Sequence, residues 1–427
     1  MDTVIRNGRL VDPANGLDTH RDLYIQGTRV VGVGEAPAGF QPARIIEASG
    51  RVVCPGLVDL CARLQEPGLE QKADIASETR AAARGGITTL VCPPDTDPVV
   101  DETAVVEQIR RRARAAGRAW VLPLGALTRG LAGEQLAEMA ALRDGGCVAI
   151  SDGGRPIKNT LVLRRALEYA ASFDLTVFLT PLDPWLGSKG GAHDGQVAAR
   201  LGLSGIPVAA ETAALGRLLA LVEEVGVKAH FGRLSSARAV AMVAEARGRG
   251  LNITADVAAH QLFLTEMDLG HSDGLTHLLP PLRSQRDRDA LRQGLAEGTL
   301  GALCSDHQPH EPDAKLNPFP DTEPGMSALE TLLPLGLRLV EEGIMDLATL
   351  IQRLTLGPAR VLDWQGGRLG VGDRADICIF DPATLWTLEP GEMVSRGRNT
   401  PLKGWELQGR VTHTLLAGRV VFEAESP

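Results

Sequence analysis

No stretch of this sequence approaches the ~18 uninterrupted apolar residues that a membrane-spanning helix requires, so no span is expected. Cysteine is sparse. Cys54, Cys61, Cys92, Cys147, Cys304 and Cys378 are scattered with no CxxC pair, which argues against a disulfide framework and points to free thiols in a reducing cytoplasm. A basic excess is also missing. The net charge of −9 gives no footprint for nucleic acid. The single basic run, Arg110 to Arg112 with Arg114, follows Glu102 and Glu107 in a helical pattern and reads as a solvated helix face. The opening residues MDTVIRNGRL lack the charged-then-apolar layout of a secretion signal, so a cytoplasmic protein is expected. Aromatic residues make up only 4% of the chain, so the core must be built from smaller side chains.

Ala, Leu, Val and Gly do supply that core, within a hydrophobic fraction of 44%. A chain of 427 residues is too long for one ordinary core but fits a (β/α)8 barrel with a small satellite. Residues 1–52 alternate apolar and polar between turn signals. Asn7-Gly8 predicts a two-residue hairpin after Val4-Ile5-Arg6, and Gln26-Gly27 predicts another between Asp22–Ile25 and Arg29–Gly34. Residues 375–381 and 411–422 look alike, so residues 1–52 and 362–427 are expected to pair into one β-domain, a small sandwich. Between them, residues 53–361 alternate short apolar runs with helical windows such as 102–116 and 216–225. The runs begin near Leu57, Thr88, Trp120, Val148, Thr176, Val227, Ile253 and Gly301, and eight such alternations spell a parallel α/β barrel of the TIM type. Polar residues cluster just after the runs, at what would be the C-terminal rim, where barrel active sites sit.

Two rim segments carry chemistry-bearing residues: Asp59-Leu60-Cys61-Ala62-Arg63-Leu64-Gln65 after the first run, and Ser305-Asp306-His307-Gln308-Pro309-His310 after the last. Taken alone, Asp306-His307-x-x-His310 suggests either a metal or acid/base site, or a loop held by Asp and His hydrogen bonds. Gly190 to Gly195 reads as a flexible loop. Lys158, Lys189 and Lys228 lie near rim segments, none of them where a bridging carbamylated lysine is expected.

From end to end the chain resembles a dihydroorotase of the amidohydrolase superfamily. The marks are PGLVDL…EPG at 55–68, GGITTLVCPPDTDP at 85–98, SDGGRPI at 151–157, IPVAAE at 206–211, SDHQPHE at 305–311, GPAR at 357–360 and SRGRNTP at 395–401. In that family a rim HxH and two later histidines bind zinc, and an aspartate after the last strand is the general base toward a metal-bound water. A cyclic amide needs such a water, and imidazoles hold zinc while leaving a position open for it. The resemblance puts Cys61 and Arg63 at the HxH positions, Thr180 at the third histidine and Arg233 at the fourth. A guanidinium has no lone pair to give and is permanently cationic. The zinc site is therefore expected to be lost and no cofactor is expected. The substrate positions depart as well: Gln65 replaces an arginine that grips the substrate carboxylate, while Asp95 and Leu279 replace asparagines. Asp95 is expected to add negative charge beside an anionic ligand. Asp59, Asp152, His260, Asp306 (the family base position) and His310 are retained, whereas Gly153 stands in place of the usual second aspartate.

These departures make a catalytically inactive dihydroorotase homologue the leading expectation. The family precedent is a non-catalytic subunit bound to the aspartate transcarbamoylase catalytic chain in de novo pyrimidine biosynthesis, which implies an oligomer. The alternative is an active dihydroorotase, or another cyclic-amide hydrolase, with an atypical metal site using Asp306, Asp152 and Cys61. A small-molecule sensor built on the old pocket is a third class. The loss of a dication also carries an electrostatic expectation. Asp59, Asp152 and Asp306 would be left uncompensated, so one or both of Arg63 and Arg233 should lie in the metal cavity and bond one of them.

Overall fold

The computed structural model describes residues 2–187, 190–271 and 273–425. At its centre is an eight-stranded parallel sheet whose strands are neighbours in chain order. They are Leu57–Asp59, Ile87–Cys92, Trp120–Ala126, Ala149–Ser151, Val177–Leu179, Ala229–Phe231, Ile253–Ala258 and Ala302–Cys304. Each coincides with one of the apolar runs. The eighth strand meets the first through its rim loop: the amide of Arg63 donates to the His307 carbonyl, and that of His307 to the Cys61 carbonyl. The result is a nearly closed (β/α)8 barrel. Its interior is filled by Val58, Leu60, Val91, Leu122, Leu124 and Phe178 among others, all buried. The helices outside include those the spacing predicts, Thr103–Ala116 among them, though Val208–Val225 begins eight residues before its expected window at 216, taking in the last four residues of the IPVAAE segment. The basic run is a helix face as expected: Arg114 pairs with Glu107, Arg112 with Glu66, and Arg110 donates to the Gly145 carbonyl.

The two chain ends form the second layer. One sheet of four strands runs in the order Arg29–Val33, Leu23–Gln26, Thr3–Arg6, Arg44–Glu47. The other, of six strands, runs Arg419–Glu423, Glu406–Leu416, Ile377–Thr387, Val52–Pro55, Arg9–Asp12, Leu17–His20. Ile5, Leu10, Ile25, Val53, Ile377 and Leu415 are buried between them. The 23–33 hairpin forms, but the Asn7-Gly8 hairpin does not. Thr3–Arg6 and Arg9–Asp12 belong to different sheets, and both make parallel as well as antiparallel pairs. Asn7 has the left-handed φ of 61° that such a turn favours, but its amide bonds Asp22 and its side chain bonds Glu47, while Gly8 packs against Val53. The local chemistry of a turn is used to step from one sheet to the next, because tertiary partners outbid the local ladder.

Val52–Pro55 is a strand of this small domain and runs past the expected boundary at 52, straight into the barrel through Gly56. A Cβ on Gly56 would sit 2.2 Å from Thr88 Oγ1, so the close approach of the first two barrel strands requires glycine there. Arg374 ties the two domains at this end, with its guanidinium between the rings of Trp120 and Trp364 and its Nε on Asp376.

The segment read as a flexible loop is partly ordered. Ala192–His193 pairs in parallel with Gly205–Ile206, and Gly190 lies close against Ile206. Lys158 stacks over Trp185 and Lys228 pairs with Asp174, while Lys189 lies outside the described residues. All six cysteines are buried and free. Among the described residues no helix is long and apolar enough to cross a membrane.

Candidate functional site

Cys61, Arg63, Thr180 and Arg233 come from the ends of the first, fifth and sixth barrel strands, and the fold brings all four together at the rim around Asp306, which follows the eighth. Asp306 Oδ1 accepts from Arg233 Nη1 at 3.1 Å, from Arg63 Nη1 at 3.5 Å and from the Cys61 thiol at 3.5 Å. Arg233 Nη2 also donates to Thr180 Oγ1, and Arg63 Nε to Asp95 Oδ2 at 2.8 Å. The side chains of Arg233, Arg63 and Asp306 are only 10%, 12% and 7% exposed, so these are desolvated pairs and not surface decoration. Burial opposes the charged form of both guanidiniums, yet Asp306 holds Arg233 above the ordinary arginine value, and Asp95 with Asp306 does the same for Arg63. Burial also raises the Cys61 thiol, which keeps it protonated.

The other two carboxylates are neutralised differently. Asp59 is fully buried and accepts from the Ser305 hydroxyl, the Ser305 amide and the Cys61 amide. Burial pushes its pKa up to about 6 against those bonds. Asp152 accepts from the amides of Thr180 and Gly154, and burial raises it too. Neither makes an ion pair with an arginine among the described residues. Of these three aspartates Asp306 alone takes the guanidiniums, within the range of partners the charge argument allowed.

One expectation about the remaining positions changes, and one left open is narrowed. Asp95 adds no free negative charge, because Arg63 binds it. His310 faces the backbone: its Nε2 meets the Pro324 carbonyl and its amide donates to Asn399. His307 is clamped between Glu78 and the Ala328 amide. The Asp306-His307-x-x-His310 segment is thus a loop held by hydrogen bonds, the blander of the two readings. Gln65 donates to the Pro309 carbonyl of the same loop, and Leu279 lines a cleft above the arginines. His260 is buried with neither ring nitrogen hydrogen-bonded among the described residues, and burial lowers its pKa to about 4.

Several residues that organise the rim escaped notice in the sequence. Glu78 accepts from Ser395 Oγ and the Arg396 amide as well as facing His307, and Asn399 bridges His310, Gln308 and Gly325. The SRGRNTP motif that contains Ser395 and Asn399 was the available signal. Asp256 receives the Arg233 amide and His230 Nε2, and Glu211 takes both Ser235 and Ser236. Glu211 ends the IPVAAE mark, but the partners of both residues lie on other elements, in and after the sixth strand.

The donor set decides what the centre can hold. A divalent ion needs lone pairs converging on one point. Here the convergent groups are two cations, a protonated thiol and a hydroxyl that is already accepting from Arg233. The residues do not fit zinc. Among the described residues no cluster of three or more His, Cys, Asp or Glu could hold a metal ion. Asp306 Oδ1 is also committed to two guanidiniums.

Comparison with known proteins agrees with the barrel. Residues 50–239 match the family model described as dihydro-orotase-like. A dihydroorotase-like protein of Pseudomonas aeruginosa is 51% identical over 419 residues, covering 98% of this chain and 99% of the relative. A protein named dihydroorotase from Syntrophotalea carbinolica is 44% identical over 422 residues, covering 99% of each chain. Among solved structures, the L-hydantoinase (dihydropyrimidinase) of Arthrobacter aurescens superposes with a TM-score of 0.88 at 23% identity, covering 99% of this chain and 96% of that one.

Two outcomes follow from the geometry. Arg63→Ala or Arg233→Ala should each destabilise the fold by about 3 kcal/mol, and the double variant by more than the two together, because only then does Asp306 lose every cation. Urea denaturation of all three variants gives the cycle, and additive losses would refute the shared-carboxylate arrangement. The second concerns acid. Burial lowers His260, His277 and His310 to about 4, 4 and 3, below their ordinary value of 6.5. The unfolded chain therefore binds the extra protons first, so stability is fully present above pH 6.5 and falls on acidification toward pH 4. The slope is up to roughly 1.4 kcal/mol per pH unit for each histidine. The raised Asp59 works in the opposite sense below pH 6. His260→Gln should flatten the slope in denaturation curves taken between pH 7.5 and 4.5, and an unchanged slope counts against a buried neutral imidazole.

Proposed function

The chain belongs to the dihydroorotase-like family, and we propose that within it this protein is a catalytically inactive member that serves as a structural, assembly subunit of aspartate transcarbamoylase in de novo pyrimidine biosynthesis. The observation that carries the inactive part is the pair of buried guanidiniums on Asp306, in the position from which the family's chemistry needs metal-binding lone pairs. Gln65 in place of a carboxylate-gripping arginine supports it independently, since its amide is spent on the Pro309 carbonyl. The assembly part rests on the resemblance alone: a family precedent joins a non-catalytic homologue to the transcarbamoylase catalytic chain, and a partner gives the intact fold a reason to persist.

A second reading, an active cyclic-amide hydrolase with an atypical metal site, draws on relatives of this chain that bear the name dihydroorotase at 44% identity over nearly the full length. The two readings part at the metal. Protein purified without chelator should carry no stoichiometric zinc and should neither close carbamoyl aspartate nor open dihydroorotate above background. Cys61→His combined with Arg63→His should not rescue it, because Thr180, Arg233 and Gln65 remain. Bound zinc with turnover in the unmodified chain would establish the second reading instead.

Assembly is tested separately. Co-expression with the aspartate transcarbamoylase catalytic chain from the same source should give a complex larger than either protein's own oligomer. Transcarbamoylase activity or assembly should fall when this chain is omitted. Two independent gel-filtration peaks across a range of mixing ratios would refute the partnership.

A further inference from the structure

Three large apolar side chains stand in solvent on adjoining segments beside the barrel mouth. Trp185 is 74% exposed and Leu186 45%, both on the loop after the fifth strand, and Leu161 is 59% exposed where the helix after the fourth strand begins. The two segments meet, since the Lys158 ammonium lies 5.0 Å from the centre of the Trp185 ring. Exposed apolar residues scattered singly need no explanation, but a set gathered on neighbouring loops marks a contact surface. None of these residues lines the cleft above the arginines.

Both segments are held in place by their own hydrogen bonds. Asp183 Oδ1 accepts from the amides of Trp185 and Leu186, its carbonyl accepts from the Gly187 amide, and its own amide donates to the Ala210 carbonyl on the helix Val208–Val225. From the same helix Arg217 donates to the carbonyls of Ile157 and Lys158, which anchors the neighbouring loop. Asn159 caps the next helix by accepting from the amides of Leu161 and Val162. A tryptophan presented on a bonded turn has little backbone freedom to lose on contact, and tryptophan anchors are among the side chains that dominate binding energies. The charge around these side chains leans one way. Farther along the helix Arg164 and Arg165 pair with Glu168 and Glu224, but Arg155, Lys158 and Arg217 have no carboxylate in ion-pair range among the described residues. The Asp183 carboxylate is spent on its turn. In a chain of net charge −9 this is a local cationic face, complementary to carboxylates.

We infer that this face docks a partner protein through a segment that carries carboxylates beside apolar side chains. The apolar groups of that segment cover Trp185, Leu186 and Leu161, and its carboxylates meet Lys158, Arg217 and Arg155. The inference deepens the assembly reading and rests on it for the partner's identity, the aspartate transcarbamoylase catalytic chain. The surface itself rests on exposure and charge, so the two can fail separately.

Two measurements on the full chain test it. In the first, the transcarbamoylase complex is captured from co-expression with Lys158→Glu or with Trp185→Ala combined with Leu186→Ser; Val371→Ser, at an exposed site of the small domain, is the control. The variants should keep the melting temperature of the unmodified chain. Each change at the docking face should weaken the complex about tenfold, and the control should not. In the second, fluorescence anisotropy compares a labelled synthetic peptide of glutamate and leucine with its lysine–leucine counterpart. The acidic peptide should bind, less tightly as sodium chloride is added, and should lose about tenfold in affinity with Lys158→Glu, whereas the basic peptide should not bind. Docking-face variants that assemble as well as the unmodified chain overturn the proposal, as does equal binding of the two peptides or binding of neither. If the unmodified chain fails to assemble with the transcarbamoylase while the acidic peptide still binds and is lost with Lys158→Glu, the assembly reading falls and the docking face stands. An oligomer of this chain alone that dissociates in the Trp185→Ala, Leu186→Ser variant would make the occupant a second copy, which also overturns the proposal.

Discussion

The Asp306 carboxylate is the charge around which the rim is arranged. It stands after the eighth strand in a left-handed backbone conformation, φ 49°, and is nearly sealed from water. An isolated carboxylate there would be unaffordable, because desolvation of an ion costs several kcal/mol even after relaxation. Two guanidiniums, reaching in from the ends of the first and sixth strands, supply the compensation. Arg233 is itself at a positive φ, 58°, and its amide is held by Asp256. The strained backbone at both ends of this ion pair persists because hydrogen bonds from neighbouring strands over-determine it.

A second set of buried bonds ties that centre to the rest of the fold. Ser305 and the Cys61 amide fix Asp59, which locks the eighth strand to the first where the barrel sheet has no ladder of its own. One step further along, His307 joins Glu78 on the first helix, and Glu78 in turn receives Ser395 and Arg396 from the C-terminal segment. The barrel closure, the first helix and the returning chain end are therefore one connected polar network. Such a network rigidifies the mouth only when every member is satisfied, and here it is satisfied by groups separated by hundreds of residues.

That separation explains what the sequence could and could not disclose. The eight barrel strands were legible because each is a local apolar run followed by polar rim residues. The small domain was legible because both chain ends alternate with period two. Asn7-Gly8 misled, since its turn propensity is real but the strands on either side find better partners in two different sheets. At the site, the family resemblance put Arg63 and Arg233 at metal-ligand positions, and the charge argument then expected one or both of them in the cavity. Their division of labour was not: nothing in the order of residues shows that Asp95 would take Arg63, or that Asp59 and Asp152 would be neutralised by amides and hydroxyls alone. Glu211 closes the IPVAAE mark and Asp256 lies in the seventh apolar run, but neither role could be read before their donors, the Ser235–Ser236 loop for one and His230 with the Arg233 amide for the other, were known.

The arithmetic of charge also limits how such a centre can arise from the metal site that the family resemblance implies. Placing one arginine beside a bound dication sets like charges a few ångströms apart in a medium of low dielectric, which expels the ion or the side chain. Removing the dication first leaves Asp306 unpaired. Only when cation for cation is exchanged does the rim remain neutral, and two guanidiniums restore the two charges that one divalent ion would carry. Once in place they occupy Asp306 Oδ1 from two sides, so the exchange that preserves stability also fills the cavity with groups that have no lone pair for a metal. Retention of the barrel and the absence of a metal-binding donor set among the described residues are, on this argument, two consequences of one substitution pattern at the Asp306 carboxylate.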